Sequence, residues 1–134
     1  MVRTVMTTAA VLAVAAGWTV AHASSGPRPA DTYSRCVKRA VSTLDTEKCQ
    51  TAELKRLKTA ISTALAKEKR ALGHGAALDR AQARWRRFRD SYCGYLFTVY
   101  RQGTIAPVVA GDCRIRLTRE RIRDVAQDAR GLGG

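Results

Sequence analysis

Histidine is nearly missing from this sequence, with only His22 and His74 in 134 residues. A histidine-based proton shuttle, nucleophile partner or metal centre has almost nothing to be built from. Acids are also short, 11 Asp and Glu against 24 Lys and Arg. Glu68 and Glu120 each stand beside Lys or Arg, which lowers a carboxyl pKa rather than raising it, so a paired-carboxylate hydrolase is not indicated. No Ser-x-x-Lys or Gly-x-Ser-x-Gly pattern occurs, which removes the commonest nucleophile settings. No stretch alternates apolar and polar residues for long enough to argue a strand. These absences point to a helical protein that is not an enzyme and needs no cofactor.

Basic charge is what the sequence has in excess. The formal charge of +13 forecasts attraction to phosphate, carboxylate or sulfate surfaces. Residues 1–23 read as a secretory signal, with Arg3 at the start, a small and apolar run from Val5 to Val20, and Ala21-His22-Ala23 as a small-x-small cleavage site. The run is interrupted by Thr7, Thr8 and Thr19 and falls short of the roughly 20 residues of a membrane span. Cleavage after Ala23 removes one cationic side chain and leaves +12 on a chain the size of one small domain. A periplasmic or secreted protein follows, with no span after processing. Residues 24–30 (SSGPRPA) form a flexible linker, and 31–134 the domain.

Four cysteines, Cys36, Cys49, Cys93 and Cys113, lie beyond the leader. An even number in an exported chain reads as two disulfides. Spacings of 13, 44 and 20 contain no Cys-x-x-Cys pair, so a zinc site is set aside and no metal is expected.

Hydrophobic periodicity predicts an all-α fold, a small antiparallel bundle of about four helices. Asp31 or Thr32 caps a first helix with Tyr33, Val37, Ala40, Val41 and Leu44 inward. After a turn at 43–46, a second runs to about Leu72 on Leu54, Leu57, Ile61, Ala64 and Leu65, and Gly73-His74-Gly75 stops it. The third spans 76–102, with Gly103 as its terminator. A compact apolar loop follows at 104–111, kept non-helical by Pro107. Asp112 then caps a fourth helix on Ile115, Thr118, Ile122, Val125 and Ala129, and 131–134 fray. In this layout a Cys93–Cys113 bridge pins the last hairpin and Cys36–Cys49 pins the first helix to the second. Four cysteines allow three pairings, and spacing alone leaves the others open.

The third helix is the expected organiser. Leu78, Ala81, Trp85, Phe88, Tyr92, Tyr95 and Val99 share one face, read as the core stripe. Arg80, Arg84 and Arg87 form a cationic ridge on another, and Gln82, Arg89 and Cys93 a third, intermediate line. Arg89 and Asp90 point about 100° apart and do not suit joint catalysis. Arg89 is expected to hold carbonyls of the following loop or a buried carboxylate, Asp90 to pair with Arg86, and Gln82 to serve as a structural hydrogen-bonder. Arg116, Arg119 and Arg123 make a second outward ridge on the fourth helix.

Ala81-Gln82, Trp85, Phe88-Arg89-Asp90 and Cys93 form an AQxxWxxFRDxxC pattern, followed by Gly103-Thr104, Cys113 and Leu117-Thr118-x-x-Arg121. This resembles the lysozyme inhibitor LprI-like N-terminal family, small exported bacterial helical domains with paired cysteines, over roughly residues 33–125. Cys36 and Cys49 match its upstream pair. Relatives commonly carry an acidic residue, a Leu-Asn pair and an aromatic in the second helix; here Glu53-Leu54-Lys55-Arg56-Leu57-Lys58 has neither the Asn nor the aromatic, so any surface those residues build is altered. The resemblance implies a binding protein whose partner is a lysozyme-like hydrolase, met by the arginine rows and by Thr104 and Pro107 of the loop. The charge alone also fits an anionic envelope polymer such as lipid A phosphates, teichoic chains or extracellular DNA.

Overall fold

A computed structural model of the chain describes residues 29–131. The leader at 1–23, residues 24–28 of the expected 24–30 linker and the last residues, 132–134, lie outside the described residues, and the linker's Pro29 and Ala30 belong to the first helix instead. Four helices follow one another, α1 Pro29–Arg39, α2 Thr43–Leu72, α3 Gly75–Val99 and α4 Ala106–Gly131, with no strand among the described residues. The fold is therefore an all-α four-helix bundle, and its disulfides join Cys36 to Cys49 and Cys93 to Cys113.

Each connection has its own local cause. Ser42, in extended conformation, accepts the Asp45 N–H on its hydroxyl at 3.1 Å and so opens α2 by satisfying an orphan donor of the first turn. α1 consequently stops at Arg39, and Val41 and Leu44, expected inside the first helix, stand exposed instead. Gly73 at φ +69° closes α2, its N–H donating to the Lys69 carbonyl at 3.1 Å, a left-handed cap that glycine adopts without steric cost. α3 ends at Val99, before Gly103, and α4 starts at Ala106. The expected apolar loop at 104–111 is thus mostly helix. Pro107 falls in the first turn of α4, where its missing N–H would have had no partner in any case.

α4 is the central element, packing against α2 and α3, which touch each other little. Its buried positions include Ile115, Thr118, Val125 and Ala129, and Leu57 and Ile61 of α2 supply large apolar partners. Close approach of α2 and α4 depends on Gly111, where a Cβ would overlap the amide of Gln50. That amide donates to the Val108 carbonyl at 2.8 Å and to Asp112 Oδ1 at 3.0 Å. Asp112 lies inside α4 rather than capping it and also accepts the Tyr33 hydroxyl at 2.6 Å, which ties α1 to the bundle.

Both disulfides have ordinary Cα separations, 5.8 Å and 5.7 Å. Cys93 and Cys113 are buried between α3 and α4, whereas Cys36 is half-exposed on the shorter α1.

Candidate binding surface

The buried seam of α3 runs through Gln82 and Cys93, with Arg89 and Trp85 half-buried beside it. Of the expected core stripe only Leu78 and Trp85 are partly covered. Ala81 is exposed, and Phe88, Tyr92, Tyr95 and Val99 keep between 40 % and 61 % of their surface in solvent. The helix is turned by about one residue step, 100°, from the orientation its apolar pattern suggests. Two ties fix that rotation. Cys93 is bonded to Cys113, and Gln82 Oε1 accepts the Arg121 Nε–H at 3.2 Å.

The result is an outward aromatic row. Phe88 and Tyr92 stack with ring centroids 5.9 Å apart and planes inclined by 8°, and the exposed Tyr100 and Ile105 carry apolar surface on into the α3–α4 turn. Contiguous exposed apolar surface of this kind marks contact sites more often than single exposed residues do. Arg80, Arg84 and Arg87 border the row, all exposed and none in an ion pair among the described residues. The carboxylates of α3 do not compensate them. Asp79 is held by Lys69 at 2.6 Å and Asp90 by Arg89 at 2.8 Å.

Asp90 therefore pairs with its neighbour Arg89 and not with Arg86. Arg89 contacts no loop carbonyl; it also donates to Thr118 Oγ1 at 3.4 Å and lies 5.2 Å from the Trp85 ring centroid. The long, flexible arginine side chain bends back to its neighbour's short carboxylate and so closes the angle between their Cβ directions.

The α4 row is not a free cationic face. Arg116 bonds Glu120 at 3.2 Å. Arg119 turns inward, donating to Glu53 Oε1 at 2.8 Å and stacking over Tyr33 at 5.2 Å. Only Arg123 of the three is exposed without an ion pair among the described residues. Glu53, 5 % exposed, accepts Arg56 as well, at 2.7 Å and 2.8 Å. Burial pushes its carboxyl up, but hydrogen bonds from Arg56 and Arg119 outweigh that and hold it below the ordinary carboxylate range. Burial and then the bond to Asp112 push the Tyr33 phenol well above its usual value.

Glu68 departs from expectation in the other direction. Lys67 and Lys69 flank it in sequence, yet burial first and Asp128 second raise its pKa, with Arg121 opposing. Lys69 is committed to Asp79, so adjacency in sequence says little about which charge faces the carboxyl.

In the α3–α4 turn Thr104 is exposed, Gly103 donates to the Tyr100 carbonyl at 3.0 Å, and Pro107 is half-buried. Among the described residues no group of three or more His, Cys, Asp or Glu is placed to hold a metal ion, and no helix is long and apolar enough to cross a membrane.

The family model described as Lysozyme inhibitor LprI matches residues 28–125 of the chain. No curated protein and no solved structure matches it.

Proposed function

Since the chain belongs to the lysozyme inhibitor LprI family, we propose that it is an exported, non-enzymatic binding protein that occludes a lysozyme-like muramidase with the outward face of α3. The observation that carries this reading is the juxtaposition of the exposed row Phe88, Tyr92, Tyr95 and Val99 with the unpaired arginines Arg80, Arg84 and Arg87. Aromatic anchors and arginine are the residue types that dominate protein interfaces. Both disulfides suit an oxidising compartment outside the cytoplasm, and removal of residues 1–23 after Ala23 delivers the domain there.

Charge selects among muramidases. Glycosidase clefts carry a pair of carboxyl groups, and a guanidinium from the α3 ridge is suited to engage one of them. A target with a basic surface would repel a domain of this charge and slow association, whereas an acidic one would attract it. We expect purified chain at micromolar concentration to abolish the activity of a muramidase of acidic isoelectric point and to leave a strongly basic one largely active. Undiminished activity across a panel spanning both charges would remove this reading.

A further inference from the structure

Because α2 and α3 both pack on α4 but scarcely on each other, a cleft of about 350 Å³ opens between them. It lies on the side of α3 opposite the arginine ridge. Four cations from three helices line it, Lys58, Arg86, Arg89 and Arg114, with no carboxylate among its lining residues. Lys58, Arg86 and Arg114 form no ion pair and no side-chain hydrogen bond among the described residues; Arg89 alone is partnered, by Asp90 and Thr118. The remainder of the lining is largely apolar, Trp85 forming one wall opposite the aliphatic side chains of α2.

Gln82 supplies a further donor. It is 3 % exposed and lines the cleft. Arg121 can only donate, so the Gln82 oxygen faces it, and the amide nitrogen points the other way with no acceptor among the described residues.

We propose that this cleft binds a phosphorylated amphiphile, its phosphoryl oxygens held by Lys58, Arg86, Arg89 and Arg114 and its apolar body laid against Trp85. Four cations call for more than one negative charge, which a phosphate monoester supplies and a single carboxylate does not. Guanidinium groups match phosphoryl oxygens bidentately, and a cavity of this volume is the size usual for small-ligand sites. The site is separate from the outward face of α3 and stands or falls independently of muramidase binding.

The chain has two tryptophans, Trp18 and Trp85, and the first lies in the leader, so the domain processed after Ala23 carries the indole of the cleft as its sole tryptophan reporter. Titrated with decyl phosphate below its micellar concentration, this chain should show a saturable change in tryptophan emission. Inorganic phosphate should bind at least about tenfold more weakly, for want of the apolar body. Arg86→Ala with Arg114→Ala should weaken decyl phosphate binding at least about tenfold, as loss of two charge-assisted contacts requires, with the melting temperature unchanged. If that pair melts early, Lys58→Ala, exposed on α2, takes its place. Vesicles of phosphatidic acid in phosphatidylcholine distinguish the sources: the same emission change there assigns a bilayer lipid, and its absence assigns a soluble phosphorylated ligand. No saturable change with decyl phosphate, an equal response to decyltrimethylammonium, or unaltered affinity in the arginine variants would overturn the proposal.

Discussion

Replacing Cys93 and Cys113 together by alanine is expected to lower the stability of the domain by about 3 kcal/mol, the entropy released when a loop of this length is opened in the unfolded chain. The bridge spans 20 residues. Both half-cystines are buried, Cys93 completely, so the alanines also leave a small void between α3 and α4. For a domain of this size the melting temperature should fall by roughly 12–24 °C. The Cys36–Cys49 bridge makes a useful comparison. It spans 13 residues and anchors only α1. Its loss should loosen α1, with the Tyr33 hydroxyl and the Arg119 stack, while α2, α3 and α4 melt nearly as before. Thermal melts followed by circular dichroism separate the two. A shift below roughly 5 °C for the Cys93/Cys113 pair would mean that packing against α4 holds α3 without the covalent tie.

Arg84→Glu combined with Arg87→Glu is expected to slow association with an acidic muramidase by about ten- to a hundredfold at low salt, because charges at the edge of an interface act chiefly on the encounter rate. The change removes four units of charge from one face of α3, whose two carboxylates, Asp79 and Asp90, are already paired. Both arginine side chains are exposed and form no ion pair among the described residues, so stability should hardly move. The gap between parent and variant should close as salt is raised and the Debye length falls from about 30 Å at 0.01 M to about 8 Å at 0.15 M. Association rates from surface plasmon resonance at these two salt concentrations give the comparison. A variant that associates as fast as the parent at low salt would dissociate the ridge from recognition. Arg119 offers the contrast, since its partner is the buried Glu53. Reversing that charge attacks the fold, and the two arginine rows differ in kind although their spacing in sequence is alike.

Much of the architecture was legible from periodicity. The inward residues of α2 and α4 recur every three or four positions, and Leu57, Ile61, Ile115, Thr118, Val125 and Ala129 are buried as that pattern requires. The glycine stop of α2 was legible, but its start was not: the turn expected at 43–46 is the first turn of the helix, capped by Ser42 one residue earlier. The largest misreading has a simple cause: the third helix carries apolar residues on a face that the bundle does not cover. Periodicity reports that Phe88, Tyr92, Tyr95 and Val99 lie together, but whether they face a neighbour or solvent is decided by tertiary ties at Gln82 and Cys93. Position 107 misled for a related reason, since a proline that ends one helix is equally at home in the first turn of the next. The buried ionic cluster of Glu53, Arg56 and Arg119 was invisible because its members lie up to 66 residues apart and each alone resembles a solvated surface charge. The cleft cations were hidden likewise, coming from three helices.

The exposed aromatic row carries the functional account, and one double substitution tests it directly. Phe88→Ala with Tyr92→Ala should leave the melting temperature within a few degrees, as truncation of side chains that keep about half their surface in solvent costs about 1 kcal/mol or less including the lost ring stacking. The same variant should bind an acidic muramidase at least about tenfold more weakly, as loss of two aromatic anchors at an interface requires. Isothermal calorimetry and thermal melts on one preparation read both quantities. Collapse of the fold would return these rings to the core, and unaltered affinity would take the face of α3 out of recognition.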